Sequence, residues 1–482
     1  MKKLLKTLLI LFTLLFVVLI ARTFLVKSRQ IHVSAVEKIP LNSDLLVNHF
    51  VGALQIQTIS YDEPSKLNHS EFQRFHAYLL VTFPLAHSKL DVESVDQYSL
   101  LFRWEGADSR LAPVVVMAHM DVVPVEATPW KHPPFRGEIA AGYIWGRGTL
   151  DDKSNVVSQL ESVEYLLQNG FQPKRTIYLA FGHDEEAGGR GAAAIVQLLE
   201  SRGVKPDLVL DEGGAILEEM IPGVLSPTAM IGTSEKGYVT VELSMEDTGG
   251  HSSAPPPHTI IGSLSRAVER LEENPMPARL EGSAAQMLDY LGPELPFVSR
   301  FFVVNRWLFQ PLMVFAFSKM QIANAMVRTT TAVTMFNGGV KENVLPSHAT
   351  ATINFRIRPG ETVEDVTNHV RKTIADDKIK ISKRPHGMNP SLISPPEAPQ
   401  FEMLHRTIKQ IHPSVIVVPG VVIGATDARH YTRICKNVYR FSPFRVTMED
   451  FRGVHGTDER IQIQNYLDMI RFYVQFLRNA AQ

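Results

Sequence analysis

A single cysteine, Cys435, among 482 residues excludes any internal disulfide, so the fold must rest on packing and on whatever metal its side chains can hold. The natural place for that thiol is a small gap in the core. Charge of one sign is equally scarce. With 49 basic against 50 acidic residues and a formal net charge of -1, the chain lacks the electrostatic footprint of a nucleic-acid or other polyanion partner. Disorder has no compositional support either, since 45% of residues are apolar and only 21% charged. No internal repeat is evident. A chain of this length exceeds what one hydrophobic core sustains, so two domains are expected.

Long apolar runs are rare too, with one exception. Thr7 to Ala21 is uncharged and almost wholly apolar, with Lys2, Lys3 and Lys6 before it and Arg22, Lys27 and Arg29 after it. A signal-peptide core takes about 7–15 such residues and a spanning helix about 20, and this run falls between. Ala21-Arg22-Thr23 stands where a small-residue cleavage site would be. Residues 1–26 therefore read as a signal anchor, with a cleaved signal peptide as the alternative, and 27–42 as a polar tether. Both readings put the rest of the chain outside the cytosol (periplasmic, lumenal or extracellular), membrane-anchored in the first case and secreted in the second.

From residue 43 to 234, short β-branched runs alternate with helical stretches, the pattern of an α/β sheet. Pro113 to Ala118, Thr176 to Phe181 and Asp207 to Leu210 read as buried strands, each followed at once by acidic or histidine residues. Ligands of such sheets bind beyond the carboxyl ends of the strands, so these polar clusters should converge. The pattern changes over 235–385. Tyr238 to Leu243 and Ala349 to Arg358 alternate apolar with polar, and helical stretches near Ile260 to Glu273 and Val363 to Ala375 follow them, which reads as an inserted α+β lid domain. A Pro-rich linker around Ser394 to Pro399 then returns the chain to a second catalytic part, within 386–482.

The chemistry sits at the strand ends. In Ala118-His119-Met120-Asp121 an imidazole suits zinc, and a carboxylate two residues on can accept its other ring N–H. Gly146-Arg147-Gly148-Thr149-Leu150-Asp151-Asp152 places carboxylates after a glycine turn, where one can bridge two cations. The adjacent Glu185 and Glu186 repel one another unless a cation or proton lies between them, a conflict resolved if one is a ligand and the other a general base. Asp211 is a further oxygen donor at a strand end. Taken singly, each of these is also an ordinary turn, helix cap or solvated acidic loop.

Taken in order, Ala118-His119-Met120-Asp121, Gly148 to Lys153, Asp184-Glu185-Glu186 and Asp211-Glu212-Gly213-Gly214 resemble the co-catalytic zinc aminoacylase/carboxypeptidase family. The likeness spans roughly residues 45–480 and implies a zinc-peptidase-like mixed sheet with helices on both faces. It also implies two zinc ions per chain. His119 and Asp211 would hold one and Glu186 and His455 the other, with Asp151 between them, Glu185 as general base and Asp121 orienting His119. Gly249-Gly250-His251-Ser252 is similar to the family's lid motif, whose histidine polarises the scissile carbonyl, often across a dimer interface, which implies a homodimer through the lid. Asn343 in Lys341 to Pro346 and Arg429 in Gly424 to Arg429 match substrate-binding positions. Arg429 reads equally as a clamp for a substrate carboxylate or as a structural ion pair.

The run Asn324 to Thr334 resembles the carboxypeptidase S and N-fatty-acyl-amino-acid synthase/hydrolase branch. That implies a two-zinc metallohydrolase that cleaves, or in reverse forms, the amide bond of small-molecule N-acyl amino acids. The alternatives are a carboxypeptidase or dipeptidase on short peptides with a free C-terminus and, more distantly, a non-catalytic peptidase-like receptor ectodomain. Phe297 to Phe317, with Trp307, is more apolar than a lid surface needs. It reads as lid core or dimer contact, or as an acyl-chain groove or membrane-facing patch, while Arg300, Arg306 and Pro311 argue against a second span.

Overall fold

In the computed structural model, which describes residues 1–126, 129–385 and 387–482, the first β-branched run forms strand Val114–His119, buried along its whole length. A strand this apolar needs cover on both faces. Alternation supplies it: Val114, Val116 and Ala118 enter one core, and Val115 and Met117 enter another. Strands Ile177–Gly182 and Leu208–Asp211 flank it, both parallel to it. They form the middle of a ten-stranded sheet. Ser99–Trp104 pairs antiparallel with Ile177–Gly182, which makes the sheet mixed, as expected. Helices Lys153–Gln168 and Ile463–Ala480 cover one face and Arg190–Ser201 the other.

The C-terminal part returns to this same sheet. Strand Val438–Arg440 pairs parallel with Leu208–Asp211, and Ile416–Val422 pairs parallel with Thr228–Glu235. A second, four-stranded sheet lies between the two parts in sequence, built from Gly237–Glu246, Thr330–Gly338, His348–Ile357 and Lys380–Lys383. Its strand Gly237–Glu246 alternates buried with half-buried residues, the signature of a one-sided sheet. The inner residues pack with helices Ile260–Glu273 and Val363–Ile374 into a separate core.

Three segments behave differently from their sequence patterns. Residues 280–327 fall inside the expected lid range 235–385, yet Leu280, Ala284, Leu288, Val303, Met313 and Val327 pack into the main core. The cause is local: Ser283 is buried against Thr233 and Ser234, at the end of a main-sheet strand, and Tyr290 donates to the Pro396 carbonyl. The expected tether 27–42 has no regular structure but is clamped down. Gln30 exchanges two hydrogen bonds with the Val417 backbone, and Val36 N–H donates to the Gln410 carbonyl. In the Pro-rich linker, Ser394 Oγ donates to the Val438 carbonyl and Pro395 accepts from Tyr439, so the linker is fastened to the core. His386, the first residue of the expected part 386–482, lies outside the described residues. Cys435 is buried as expected, and burial raises its thiol to about 11.

Candidate metal centre

Four strand ends and two loops converge at the carboxyl edge of the main sheet. His119 closes strand Val114–His119, and its Nε2 lies 2.9 Å from Asp151 Oδ1. The other oxygen of the same carboxylate, Asp151 Oδ2, lies 3.0 Å from His455 Nε2, which is also 3.0 Å from Glu186 Oε1. Thus Asp151 faces one imidazole with each oxygen, and a carboxylate so placed can serve two cations. Ligand atoms of His119, Asp151 and Glu186 lie within 4.8 Å of one another. His455 reaches this group from a loop in the left-handed region, at φ 58°, a conformation that non-glycine residues adopt rarely.

The loop that carries Asp151 is pinned from behind. Gly148 adopts φ +90°, and a Cβ there would meet Val122 and Lys153 side chains at 3.1–3.2 Å, so only glycine lets the turn pass so close. Buried Glu459 accepts the backbone N–H groups of Gly148, Leu150 and Asp151 and pairs with buried Arg147 at 2.7 Å. Asp121 acts on the opposite side. Its Oδ1 lies 3.3 Å from His119 Nδ1, which fixes the tautomer that leaves Nε2 free for a metal. The same carboxylate accepts the N–H of Glu185 and of Glu186, and Ser60 Oγ at 2.5 Å. Asp121 thereby orients His119 and both glutamates, a wider reach than its spacing from the histidine reveals.

The donor set fits divalent metal. Burial, followed by the neighbouring carboxylates, raises the pKa of Glu186, and that of Glu185 and Glu212 well above the ordinary range. A cation among them would remove that cost. His119 titrates high although its burial opposes protonation, because Asp121 and Asp151 hold the imidazolium; at His455 the contacts with Asp151 and Glu186 raise the value to about 10.

The remaining expected residues divide. Glu185 sits beside the cluster with Arg429 Nη1 3.9 Å from its Oε1, and both line one cavity. Arg429 also donates to the Thr426 and Gly188 carbonyls, so it braces the Glu185 turn whatever else it binds. Asp211 closes strand Leu208–Asp211, but its Oδ2 accepts the Ala428 N–H at 2.7 Å. The next residue, Glu212, lines the cavity, and its raised pKa reflects burial and then Asp151. In the sequence Glu212 stands out only as part of the motif that begins at Asp211. Alternation at the strand end offered the signal, since adjacent residues point opposite ways. His251 and Asn343 lie together at a separate two-stranded ladder, Gly250–His251 against Val344–Leu345, where Ser252 N–H donates to the Asn343 carbonyl. Both are exposed, and the fold of one chain does not bring them into the cavity.

That cavity has a volume of about 2200 Å³, well above the roughly 300–1,000 Å³ of ordinary small-molecule pockets. One end is polar, with Asp151, Glu185, Glu186, Glu212, Arg429 and His455. Away from it the lining turns apolar, with Leu280, Met287, Leu291, Val303, Met313 and Phe317 from the helices that joined the main core. Arg356 and Tyr238, cross-strand partners in the second sheet, complete the wall, a contribution not foreseen from sequence.

Residues 115–479 match peptidase family M20/M25/M40. The chain is 41% identical over 443 residues to a probable carboxypeptidase S-like 2 of Dictyostelium discoideum, covering 91% of this chain and 85% of that one. It is 43% identical over 436 residues to the mouse N-fatty-acyl-amino acid synthase/hydrolase PM20D1, covering 89% and 86%. Among solved structures, an M20 family metallo-carboxypeptidase, Sso-CP2 of Sulfolobus solfataricus, shares the fold with a TM-score of 0.66 at 19% identity, over 90% of this chain and 99% of that one.

Proposed function

The chain belongs to peptidase family M20/M25/M40 and is a metal-dependent hydrolase of amide bonds, and from that premise we propose that it binds two zinc ions and cleaves N-acyl amino acids, long apolar acyl chains included. The observation that carries the two-metal reading is Asp151, whose two oxygens each face a different histidine. His119 with Asp151 and the Asp211-Glu212 pair would hold one ion, and Glu186 and His455 with Asp151 the other. Bound there, zinc supplies Lewis acidity toward water and toward the scissile carbonyl.

The chain's own groups do the rest. Glu185, held at a raised pKa by burial, takes a proton from the attacking water and later gives it to the leaving nitrogen. Arg429 or Arg356 meets the carboxylate of the amino acid. The acyl group lies along the apolar end of the cavity, where burial stabilises it by about 0.8 kcal/mol per methylene. His251 would reach the carbonyl oxygen from the lid of a second copy, which makes the active unit a homodimer. Helix Lys2–Leu25 would hold the enzyme at a membrane, with the catalytic part outside the cytosol.

A carboxypeptidase acting on short peptides would use the same polar end, and the likeness to the carboxypeptidase S-like relative favours it as the second reading. The apolar half of the cavity distinguishes the two. The test is a panel of N-acetyl, N-decanoyl and N-oleoyl amino acids and dipeptides, with and without chelator. Preference for dipeptides over every N-acyl amino acid would overturn the first reading.

A further inference from the structure

Helices Phe297–Val304 and Arg306–Phe317 carry two apolar faces, and only one serves the cavity. The other presents Val298, Trp307, Leu308 and Phe315, 39–68% exposed, with no carboxylate anywhere between Phe297 and Phe317. Exposed apolar residues in one patch mark a surface that something else covers.

The N-terminal helix identifies the cover. Lys2–Leu25 is long and apolar enough to cross a membrane, and it packs beside this patch, on the Phe297, Phe301 and Asn305 stripe. Phe24 meets Phe297 at 5.3 Å between rings, and Phe16 meets Phe301 at 6.3 Å. Buried Asn305 donates Nδ2 to the Leu19 carbonyl and to Thr23 Oγ1, both at 3.1 Å, a polar contact that fixes how the helices cross. The contact from Phe16 to Phe24 spans about 12 Å along the helix, close to the ~15 Å depth of one leaflet's hydrocarbon. The uncovered stretch from Leu4 to Leu14, exposed at Leu4, Leu8, Leu11 and Leu14, spans about 15 Å more, which is the other leaflet. The cavity also opens on this side. Phe302, Leu312, Met320 and Ile322 line it yet are 36–55% exposed, so the mouth is rimmed by apolar side chains.

We propose that helices Phe297–Val304 and Arg306–Phe317 lie in one leaflet of the membrane that Lys2–Leu25 crosses, and that long-chain substrate reaches the metal end from that leaflet, through the mouth between Phe302 and Leu312. The route rests on the N-acyl amino acid reading; the membrane face does not. An amphiphile whose tail is dissolved in the leaflet keeps its carboxylate at the interface, and its tail need not cross water to enter the cavity. Lys319, whose Nζ lies 5.4 Å from the Phe315 ring centroid, suits the headgroup level.

Full-length protein in vesicles of phosphatidylcholine and phosphatidylglycerol, with part of the phosphatidylcholine brominated in mid-chain, tests the face. Of the four tryptophans Trp307 is 55% exposed, Trp104 and Trp145 are buried, and Trp130 is half-buried beneath Arg147 on the metal-bearing side, so tryptophan emission should be quenched, and Trp307→Phe should abolish the quenching. Quenching that survives Trp307→Phe, or none in the parent because a second copy covers the face, overturns the proposal. The doubly substituted Trp307→Glu, Phe315→Glu protein tests the route. Its kcat/KM for vesicle-borne N-oleoyl amino acid should fall about tenfold or more while N-acetyl turnover holds; an equal fall for both overturns the route. Trp307 quenching without cleavage of any N-acyl amino acid would mean instead that the substrate reading had failed and the membrane face stood.

Discussion

Glu459 joins Arg147 at 2.7 Å, with both side chains buried. It lies four residues beyond His455 in the chain, while its oxygens hold the turn that presents Asp151. The two sides of the metal cluster are therefore tied together by one carboxylate. Glu459→Gln leaves Arg147 as an unpaired buried charge, which costs about 3–5 kcal/mol. Urea denaturation should show that loss, and metal content should fall with it. Unchanged stability would mean that the pair contributes nothing.

Glu185 and Asp151 should separate catalysis from metal binding. Glu185→Gln is expected to keep a full metal complement, near two per chain by mass spectrometry, and to lose about 10²–10⁴ in kcat. Asp151→Asn should lose metal and activity together. Chelator should abolish turnover and added zinc restore it; a Glu185→Gln enzyme at full rate would remove that residue from the reaction.

Buried neutral histidines set an acid limit away from the metal. Burial, then Lys409, lowers His405 to about 3, and burial, then Arg445, lowers His412 to about 4. The unfolded chain binds protons at these histidines near pH 6.5 and the folded chain refuses them, so their contribution is complete above about 6.5 and is lost as pH falls toward 4. The Tm of the parent should drop more between pH 7 and 5 than that of His412→Gln, and parallel curves would refute the assignment.

His251 offers a test of the dimer. If it serves a neighbouring chain's site, His251→Ala and Glu185→Gln proteins are each inactive alone, but mixing after subunit exchange restores part of the activity. Mixtures that stay inactive although mixed dimers have formed would confine His251 to its own chain or to structure.

Much of this site was legible because buried strands announce their own ends. The unbroken apolar run before His119 and the run before His183 could only be interior strands, and polar residues directly after such strands have one edge of the sheet to occupy. Alternation at the end of Leu208–Asp211 sets Asp211 and Glu212 to opposite sides, but the group that engages Asp211 was hidden, because the Ala428 N–H arrives from 217 positions later in the chain. The segment 280–327 was hidden for a related reason. Its composition gives apolar helices, but which core they join is decided by contacts such as Ser283 with Thr233 and Ser234, which no local pattern displays. His251 looked catalytic by motif, and only the fold shows that its own chain leaves it outside the cavity.

The pairing of Arg440 with Asp211 also sets a schedule for the nascent polypeptide. At about 5–20 residues per second, translation takes roughly 10–50 s to pass from one to the other. Throughout that interval the growing sheet exposes the edge of Leu208–Asp211, an aggregation hazard for a half-made chain. If the protein crosses a membrane as it is made, folding waits for the far side, and so does the loop bearing His455. The cytosol then handles a polypeptide whose metal-binding set is still unassembled, and the finished hydrolase first exists in the compartment where it works.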